Sequence, residues 1–455
     1  MPYVLNSEKE IGQMLKDIGV SSVEELYSHL PQAVRLTSSL DVGLGLSEME
    51  VRDALGGLAA KNKTISEFNS FLGAGCYDHY VPAALPFILS LGQFLTAYTP
   101  YQAECSQGIL QAIYEYQSYM CLLTGMDVSN ASLLDGASSL AEAVLMSLRI
   151  TNRKKILVSE ALHPEYRETL NTYLSGFNAS GSSSAGFSIY EIAAKDGKID
   201  PETVGYSVDN NTACCVFQNP NFFGLIEDVQ NISKAAHAKG ALSIMSANPI
   251  ALALLKEPAK LGVDIACGDG QPLGAGSNLG GSSFGFLAVK KEYMRQLPGR
   301  IVGKTLDKDG KDAYCLTMQT REQHIRRQKA TSNICSNQSL NAIGSAIYLS
   351  LVGREGLRDA ARFSFCNTKY LYNRMAEIRG VRIPFASTFF NEFLWETDNA
   401  KDVLSKLRNK GIIAGFYLGD KFPQYKNGIL SCCTEKKTKQ QIDDLVNTLA
   451  EVLHG

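Results

Sequence analysis

From residue 241 to residue 289 the chain reads ALSIMSANPIALALLKEPAKLGVDIACGDGQPLGAGSNLGGSSFGFLAV. Three short apolar runs lie in this stretch, at residues 241–245, 263–267 and 285–289, and residues that favour turns separate them. Apolar runs of this length, bounded by Gly, Pro, Asn or Ser, are typical of buried strands. The stretch therefore predicts three strands of one sheet.

The same pattern continues on the N-terminal side of this stretch. Residues 155–158 (KILV) and 213–217 (ACCVF) are further strand candidates, and residues 227–239 are long enough for a crossover helix. Alternating strands and helices predict a mostly parallel sheet with helices on both faces. The predicted fold class is therefore α/β, and we expect this large domain to span residues 66–320.

The regions on either side of the large domain differ from it. Residues 1–65 carry three helix-start signals and are expected to form a helical arm that packs on the main body or on a partner chain. The signals are the pairs Ser7 with Glu10, Ser22 with Glu25 and Ser47 with Glu50. Residues 321–455 are helix-rich to about residue 377. Strand-like runs follow at 389–395 and 428–432, and a final helix is expected at 438–453. We predict a small α+β domain here. The stretch of the chain that most resembles a linker is residues 299–311, which is rich in Gly, Lys and Asp.

Composition excludes several classes of protein. The chain has 44 basic and 46 acidic residues, so no positive excess favours nucleic acid or an anionic membrane as a partner. Its 11 cysteines include no Cys-x-x-Cys pair, and we expect reduced thiols in a reducing compartment. No apolar stretch suits a secretory signal or a membrane helix, so a cytoplasmic location is expected.

Common cofactor and metal motifs are absent. The six histidines do not fall at metal-ligand spacing, and we expect no metal site. Residues 274–279 (GAGSNL) lack the third glycine of a dinucleotide fingerprint. Residues 130–139 place a Gly/Ser turn before an apolar helix. Such a turn can hold a phosphate at the helix start, or it can be a plain cap at Asp135 or Ser138.

The run TAYTPYQAECSQG, at residues 96–108, is rich in Tyr, Thr, Gln and Glu. Hydroxyl, amide and aromatic groups of this kind can fix a small zwitterion and exclude water from it. A loop that only supports packing through hydrogen bonds is the alternative interpretation.

Four segments together carry a resemblance: residues 73–82, 96–108, 123–138 and 319–335. With the rest of the chain they resemble the N-terminal half of the glycine cleavage system P-protein, which some bacteria and archaea split into two chains. The resemblance implies the aminotransferase-like fold (fold type I) of enzymes that use pyridoxal phosphate (PLP). It also implies decarboxylation of glycine, with release of CO2 and transfer of the aminomethyl group to the lipoyl arm of H-protein. The implied partners are subunit 2, in a heterotetramer, the H-protein, and the T- and L-proteins of the same system.

The PLP lysine of this fold is missing from its expected place. No lysine occurs between residues 261 and 289, where the loop after a late strand would carry it. Asn248 stands where an aspartate would hold the pyridinium nitrogen, and an amide cannot supply that negative charge. The Asn-Pro-x-x-x-Gly turn at residues 219–224 is expected to be a structural relic. We therefore expect PLP on the partner subunit and no covalently bound cofactor on this chain.

The resemblance places this chain's contribution in the polar run. The residues expected to act in a shared site are Tyr98, Tyr101, Gln102 and Glu104. The residues expected to bind substrate are Thr99, Ser106, Gln107, Arg321, His324 and Arg326. The two arginines and the histidine can equally form a salt-bridge cluster at a subunit interface, because guanidinium groups suit carboxylates in either setting.

Two rival functions stay open at this point. One is a self-sufficient PLP decarboxylase or aminotransferase, which the missing lysine argues against. The other is a non-catalytic scaffold or regulatory pseudo-enzyme of the same fold, which the polar run argues against.

Overall fold

The computed structural model describes residues 5–36, 38, 40–179, 186–277, 281–334 and 337–454. The chain separates into two compact units, Met1–Lys63 and Thr64–Gly455. In the first unit, helices α1 (Glu8–Ile18) and α2 (Glu48–Ala59) begin at the predicted capping boxes of Ser7 and Ser47, and Gly19 ends α1. A short 3₁₀ helix, Glu24–Tyr27, lies at the signal formed by Ser22 and Glu25. None of the residues described in this unit is buried, so it has no core of its own.

The second unit contains the remaining α-helices and all of the strands in the part of the chain that the structure describes. Its helices are α3 (Ala84–Leu89), α4 (Gln107–Thr124), α5 (Gly136–Thr151), α6 (Pro164–Ala179), α7 (Pro201–Ser207), α8 (Val229–His237), α9 (Gln323–Arg326), α10 (Ser339–Ala376), α11 (Ala400–Asn409) and α12 (Lys439–His454). Its strands are β1 (Asn69–Ser70), β2 (Val128–Ser129), β3 (Lys155–Ser159), β4 (Ser188–Ile192), β5 (Ala194–Lys195), β6 (Lys198–Ile199), β7 (Thr212–Asn219), β8 (Leu242–Ala247), β9 (Ile265–Asp269), β10 (Gly285–Val289), β11 (Ile301–Leu306), β12 (Asp312–Thr317), β13 (Glu392–Glu396), β14 (Ile412–Ile413), β15 (Phe416–Tyr417) and β16 (Gly428–Cys432).

A seven-stranded sheet in the order β2-β10-β9-β8-β7-β3-β4 forms the centre of this unit. Strands β3, β4, β7, β8 and β9 run parallel, and β10 is antiparallel to both of its neighbours. Successive residues of β3 point to opposite faces, so Ile156 packs with helices α5 and α6 while Leu157 packs with α4, α8 and α10. The prediction of an α/β sheet covered on both faces is confirmed.

A second apolar core lies around the three-stranded sheet β13-β16-β15. The only tryptophan of the chain, Trp395, is fully buried there, with Leu371 of α10, Leu407 of α11 and Leu445 of α12. This core agrees with the predicted strands and final helix of the C-terminal region. The division of the chain at residue 320 stays a prediction.

The prediction of a linker at residues 299–311 was wrong. Strands β11 and β12 pair as an antiparallel hairpin that contacts α4. Its turn is closed by Asp307, whose Oδ1 accepts from the Asp309 and Lys311 N–H groups at 2.8 Å each, and by Gly310 at φ +78°.

In the part of the chain that the structure describes, no helix is long and apolar enough to cross a membrane.

Candidate active site

The carboxyl ends of the parallel strands meet at a small cavity, which is where open α/β sheets bind their ligands. The cavity has a volume of only about 30 Å³. Its lining comes from the strand ends, from the start of α6 and from the segment before α3. It consists of Gly75, Tyr77, His163, Tyr166, Gln218, Ser246, Ala247, Asn248, Pro249, Asp269 and Pro272. This place corresponds to the cofactor pocket that the sequence predicted to have decayed.

The start of helix α5 is closed by a carboxylate of the chain itself. Asp269 Oδ2 accepts from the Gly136 N–H at 3.0 Å, its Oδ1 accepts from the Gln271 N–H at 2.8 Å, and the Ser283 hydroxyl donates to it. Burial raises the pKa of Asp269. A helix N-terminus favours an anion, and this side chain supplies one. Of the two interpretations of residues 130–139, the structure shows the helix cap, with Asp135 and Ser138 in a capping box.

An aromatic side chain fills the space beside His163. The Tyr166 ring stacks on the imidazole with centroids 4.8 Å apart and an angle of 21° between the planes. Phe222 packs edge-on against the same imidazole at 4.8 Å. A Cβ added to Gly136 would collide with the Tyr166 hydroxyl and lie 2.7 Å from the Asp269 nitrogen. Burial lowers the pKa of His163, which favours the neutral imidazole.

These residues do not fit PLP in this chain. Asn248 Oδ1 accepts from the Ile250 N–H at 2.9 Å, so it caps the following turn. Its buried Nδ2 has no hydrogen-bond partner among the residues that the structure describes. No lysine is among the cavity-lining residues. In the turn at residues 219–224, Asn221 donates to Glu227 at 2.7 Å and accepts from the Phe223 N–H at 3.0 Å, contacts that stabilise the backbone of the turn.

The segment at residues 73–79 joins this cavity to the second core. Gln271 bonds both the N–H and the carbonyl of Tyr77, at 2.9 Å each. The Tyr77 hydroxyl donates to buried Glu392, which also accepts from the Ala74 N–H at 2.7 Å. His79 pairs with Glu435 at 2.7 Å. The segment is thus held by polar groups from both cores.

The buried carboxyl group of Glu392 should make the stability of the folded chain depend on pH. Burial raises the pKa of Glu392 to about 7, although the hydrogen bonds from Tyr77 and Ala74 lower it. Burial likewise raises the pKa of Glu227 to about 7. Between about pH 4.3 and about pH 7 the folded chain keeps protons that the unfolded chain has released. The free energy of unfolding should therefore fall as pH rises through this window and level off above it.

The variant Glu392→Gln tests this expectation, since an amide does not titrate. Urea unfolding at pH 5 and pH 7.5 should show a smaller difference in the variant than in the parent chain, by up to about 1.4 kcal/mol per pH unit. Glu227→Gln is the matched variant, and it should remove a further part of the difference. An unchanged slope in both variants would refute the raised pKa values.

The polar run lies on the surface between α3 and α4. Tyr98 is 79% exposed and Tyr101 is 49% exposed. Gln102 and Glu104 are exposed as well, while Thr99 is half-buried. Short-range bonds shape the loop, including one from the Tyr101 N–H to the Thr99 carbonyl at 2.9 Å. Of the four residues predicted to act in a shared site, Tyr98, Gln102 and Glu104 are therefore exposed to solvent, and Tyr101 is half-exposed.

The end of the run has a structural anchor. Gln107 donates to the carbonyls of Ala103 at 2.7 Å and Tyr314 at 2.8 Å, and it accepts from the Tyr314 N–H at 2.9 Å. These bonds tie the loop to the β11–β12 hairpin. Ser106 is half-buried and is the residue that precedes α4. Gln107 therefore has its side-chain groups engaged, whereas Gln102 and Glu104 present theirs to solvent.

The three cationic candidates divide into one buried and two exposed side chains. Arg321 is 9% exposed and donates to the backbone carbonyls of Leu297, Gly299 and Met318. These bonds favour a structural role for it. The His324 side chain is 44% exposed, and its ring packs edge-on against Tyr101 with centroids 5.5 Å apart. Arg326 is exposed and donates to the Thr320 carbonyl at 3.1 Å.

Sequence reasoning missed Arg300, which lies directly against Tyr101. Its guanidinium carbon is 5.5 Å from the Tyr101 ring centroid, and its Nη2 donates to the Tyr101 hydroxyl at 3.2 Å. Arg300 is only 8% exposed. A single arginine after a Pro-Gly turn has no motif around it, so no pattern in the sequence distinguished it from a surface arginine.

The strand order and the position of the cavity at the strand ends show the fold of one class of protein, the fold type I PLP-dependent enzymes. A sphingosine-1-phosphate lyase from Burkholderia pseudomallei K96243 has this fold, with a TM-score of 0.65 over 92% of both chains at 16% sequence identity. At that identity the likeness shows the fold alone.

The family is shown by closer comparisons. The model of the glycine cleavage system P-protein family matches residues 1–449, and the chain belongs to this family. It is 46% identical over 453 residues to a protein of Desulforamulus reducens named "Probable glycine dehydrogenase (decarboxylating) subunit 1", covering 99% of this chain and all of that one. A crystal structure of glycine decarboxylase (P-protein) in inhibitor-bound form matches with a TM-score of 0.87 at 40% identity, covering 99% of this chain and 100% of the other. These comparisons confirm the predicted resemblance and fold class.

Proposed function

We propose that this chain is subunit 1 of a two-chain glycine dehydrogenase (decarboxylating), active in complex with a PLP-carrying subunit 2. The single observation that carries the proposal is a contrast within the chain. Its own cofactor pocket is filled by Tyr166 and Asp269, whereas the loop at residues 98–107 presents polar and aromatic side chains outward. A loop of this composition suits a site that is completed by another molecule.

The division of roles follows from the chemistry. PLP on the partner subunit supplies the electron sink for loss of CO2 from glycine. The side chains of this chain would orient glycine and the incoming lipoyl arm of H-protein, and would exclude water from the shared cavity. Tyr98 and Tyr101 would form its walls, and Gln102 and Glu104 would hydrogen-bond the polar groups of the substrate.

The neighbouring residues would have supporting roles. Thr99 and Ser106 would line the edge of the shared site, and Gln107 would fix the loop through Tyr314. His324, which packs against Tyr101, and Arg326, which is exposed two residues further along the chain, would bind the substrate carboxylate or an acidic partner surface. Arg321 would support the backbone below them.

The cysteines support a cytoplasmic location. The ten cysteines within the described ranges are all free thiols, as expected in a reducing compartment. We place the complex and its exchange with the H-, T- and L-proteins there.

The loop can be tested in the reconstituted complex. Tyr98→Phe and Glu104→Ala should each lower the turnover of glycine about 10- to 100-fold, the range expected when one hydrogen-bonding or proton-transferring group is lost from a site. Tyr206→Phe is the matched control, because Tyr206 is 88% exposed on α7, and its turnover should match the parent complex. Size-exclusion chromatography should show that all three variants still assemble. Normal turnover in both loop variants would remove this loop from the site.

A further inference from the structure

The side chain of Arg300 is buried beneath the exposed loop. Besides its contacts with Tyr101, its Nη1 lies 3.4 Å from Asn337 Oδ1 and its Nε lies 3.7 Å from Glu322 Oε2. The Arg300 side chain is 9% exposed and that of Glu322 is 11% exposed. The buried Arg300 side chain thus contacts the half-exposed Tyr101, and it also lies beside the Glu322 carboxylate and the Asn337 amide.

The ion pair between Arg300 and Glu322 does not have the geometry that would contribute most to stability. Within the described ranges, Arg300 Nε and Glu322 Oε1 both lack a hydrogen-bond partner. A buried pair contributes to stability only where its geometry is good and its remaining polar atoms are satisfied. A distance of 3.7 Å is too long for the direct hydrogen bond that would meet this condition. The planar fork of Arg300 is instead directed at Tyr101 and Asn337.

The residues around Arg300 hold it rigidly. Asn337 Nδ2 donates to the Ala131 carbonyl at 2.8 Å and to Ser132 Oγ at 2.9 Å, which fixes the amide that faces Arg300. The Arg300 carbonyl accepts from the Ala131 N–H at 2.8 Å. The amide that faces the guanidinium is therefore anchored to the segment that follows β2, whereas Tyr101 lies on an exposed loop.

We propose that Arg300 is a positioning residue for the glycine reaction, which it serves by fixing the ring and hydroxyl of Tyr101 in the shared site. The inference rests on the proposed function, because it requires Tyr101 to enter that site. The Arg300 guanidinium lies over the ring and donates to the hydroxyl at once, which needs an extended group with several N–H donors. A lysine has a single compact ammonium group and cannot make both contacts.

A double-mutant cycle in the PLP-loaded complex tests this coupling. Arg300→Lys is expected to lower kcat/KM for glycine about tenfold, and Tyr101→Phe, which removes the accepting hydroxyl, about as much. If Arg300 acts through Tyr101, the double variant should be no more than about twofold worse than the poorer single variant. Arg295→Lys is the matched control, since Arg295 is exposed on the 3₁₀ helix Lys291–Gln296, and it should keep full activity.

The outcomes separate the inference from the proposed function. Losses that multiply to about a hundredfold, or an Arg300→Lys complex with normal kcat/KM, would overturn the positioning role. If Arg300→Lys lowers the unfolding temperature or prevents assembly, Glu322→Gln becomes the reference chain. Arg300→Gln and Tyr101→Phe are then introduced into it singly and together, so that the Arg300 variant leaves no unpaired buried charge. A parent complex without glycine turnover would instead refute the proposed function.

Discussion

Purified alone, the chain is expected to catalyse no exchange between the carboxyl group of glycine and bicarbonate, and adding subunit 2 should restore the exchange in full. Enzymes typically lower barriers by ~8–23 kcal/mol, and side chains alone do not stabilise a carbanion next to nitrogen to that extent. The place where this fold would hold the electron sink is filled by the Tyr166 ring and the Asp269 carboxylate. The expected difference between the isolated chain and the complex is therefore all or none.

The measurement needs radiolabelled bicarbonate, lipoylated H-protein, and each subunit alone and mixed. Titrating this chain into a fixed amount of subunit 2 should raise the exchange rate until the two are equimolar and not beyond. Subunit 2 with a folded but unrelated protein controls for non-specific stabilisation. Exchange by this chain alone would refute the division of labour, and exchange by subunit 2 alone at the full rate would make this chain a scaffold.

The sequence predicted the centre of the fold well, because five strands are buried and therefore read as apolar runs. Strand β4 was missed for the opposite reason. It lies at the edge of the sheet, and of its five residues Ser188, Tyr190 and Glu191 are exposed while Ile192 alone is buried. The Gly, Lys and Asp content of the β11–β12 hairpin predicts a linker, whereas the order of these residues favours a turn. Asp307 and Gly310 are turn-forming residues at the positions that a hairpin turn uses.

The site was predictable in part. A missing lysine can be read directly from residues 261–289, but the filled pocket cannot. The carboxylate that closes α5 is 133 residues away from Gly136 in sequence, and only the fold brings the two together. The two arginines show the same limit. Arg321 lies in residues 319–335, one of the segments that carry the family resemblance, but its guanidinium donates to backbone carbonyls. Arg300 lies in none of these segments, yet its guanidinium contacts Tyr101. Residue type predicts what a guanidinium can bind, and burial and neighbours determine what it does bind.

Borohydride reduction of the assembled complex is expected to leave a pyridoxyl label on subunit 2 and none on this chain. Reduction makes the bond between PLP and its lysine permanent, so mass spectrometry of the separated subunits locates the cofactor. The exposed lysines of this chain could react with excess PLP, so the complex is freed of unbound PLP before reduction. Replacing the cofactor-binding lysine of subunit 2 should leave neither chain labelled.

The expected absence of a pyridoxyl label on this chain has two causes, the filled pocket and the missing lysine, and a variant separates them. Tyr166→Ala with Asp269→Gly would open the pocket beside His163 and free the Gly136 N–H. This chain should still carry no covalent label, because residues 261–289 offer no lysine to the cofactor aldehyde. A pyridoxyl label on a single lysine of the parent chain, at one equivalent per chain, would show that this subunit binds PLP itself and would overturn the account.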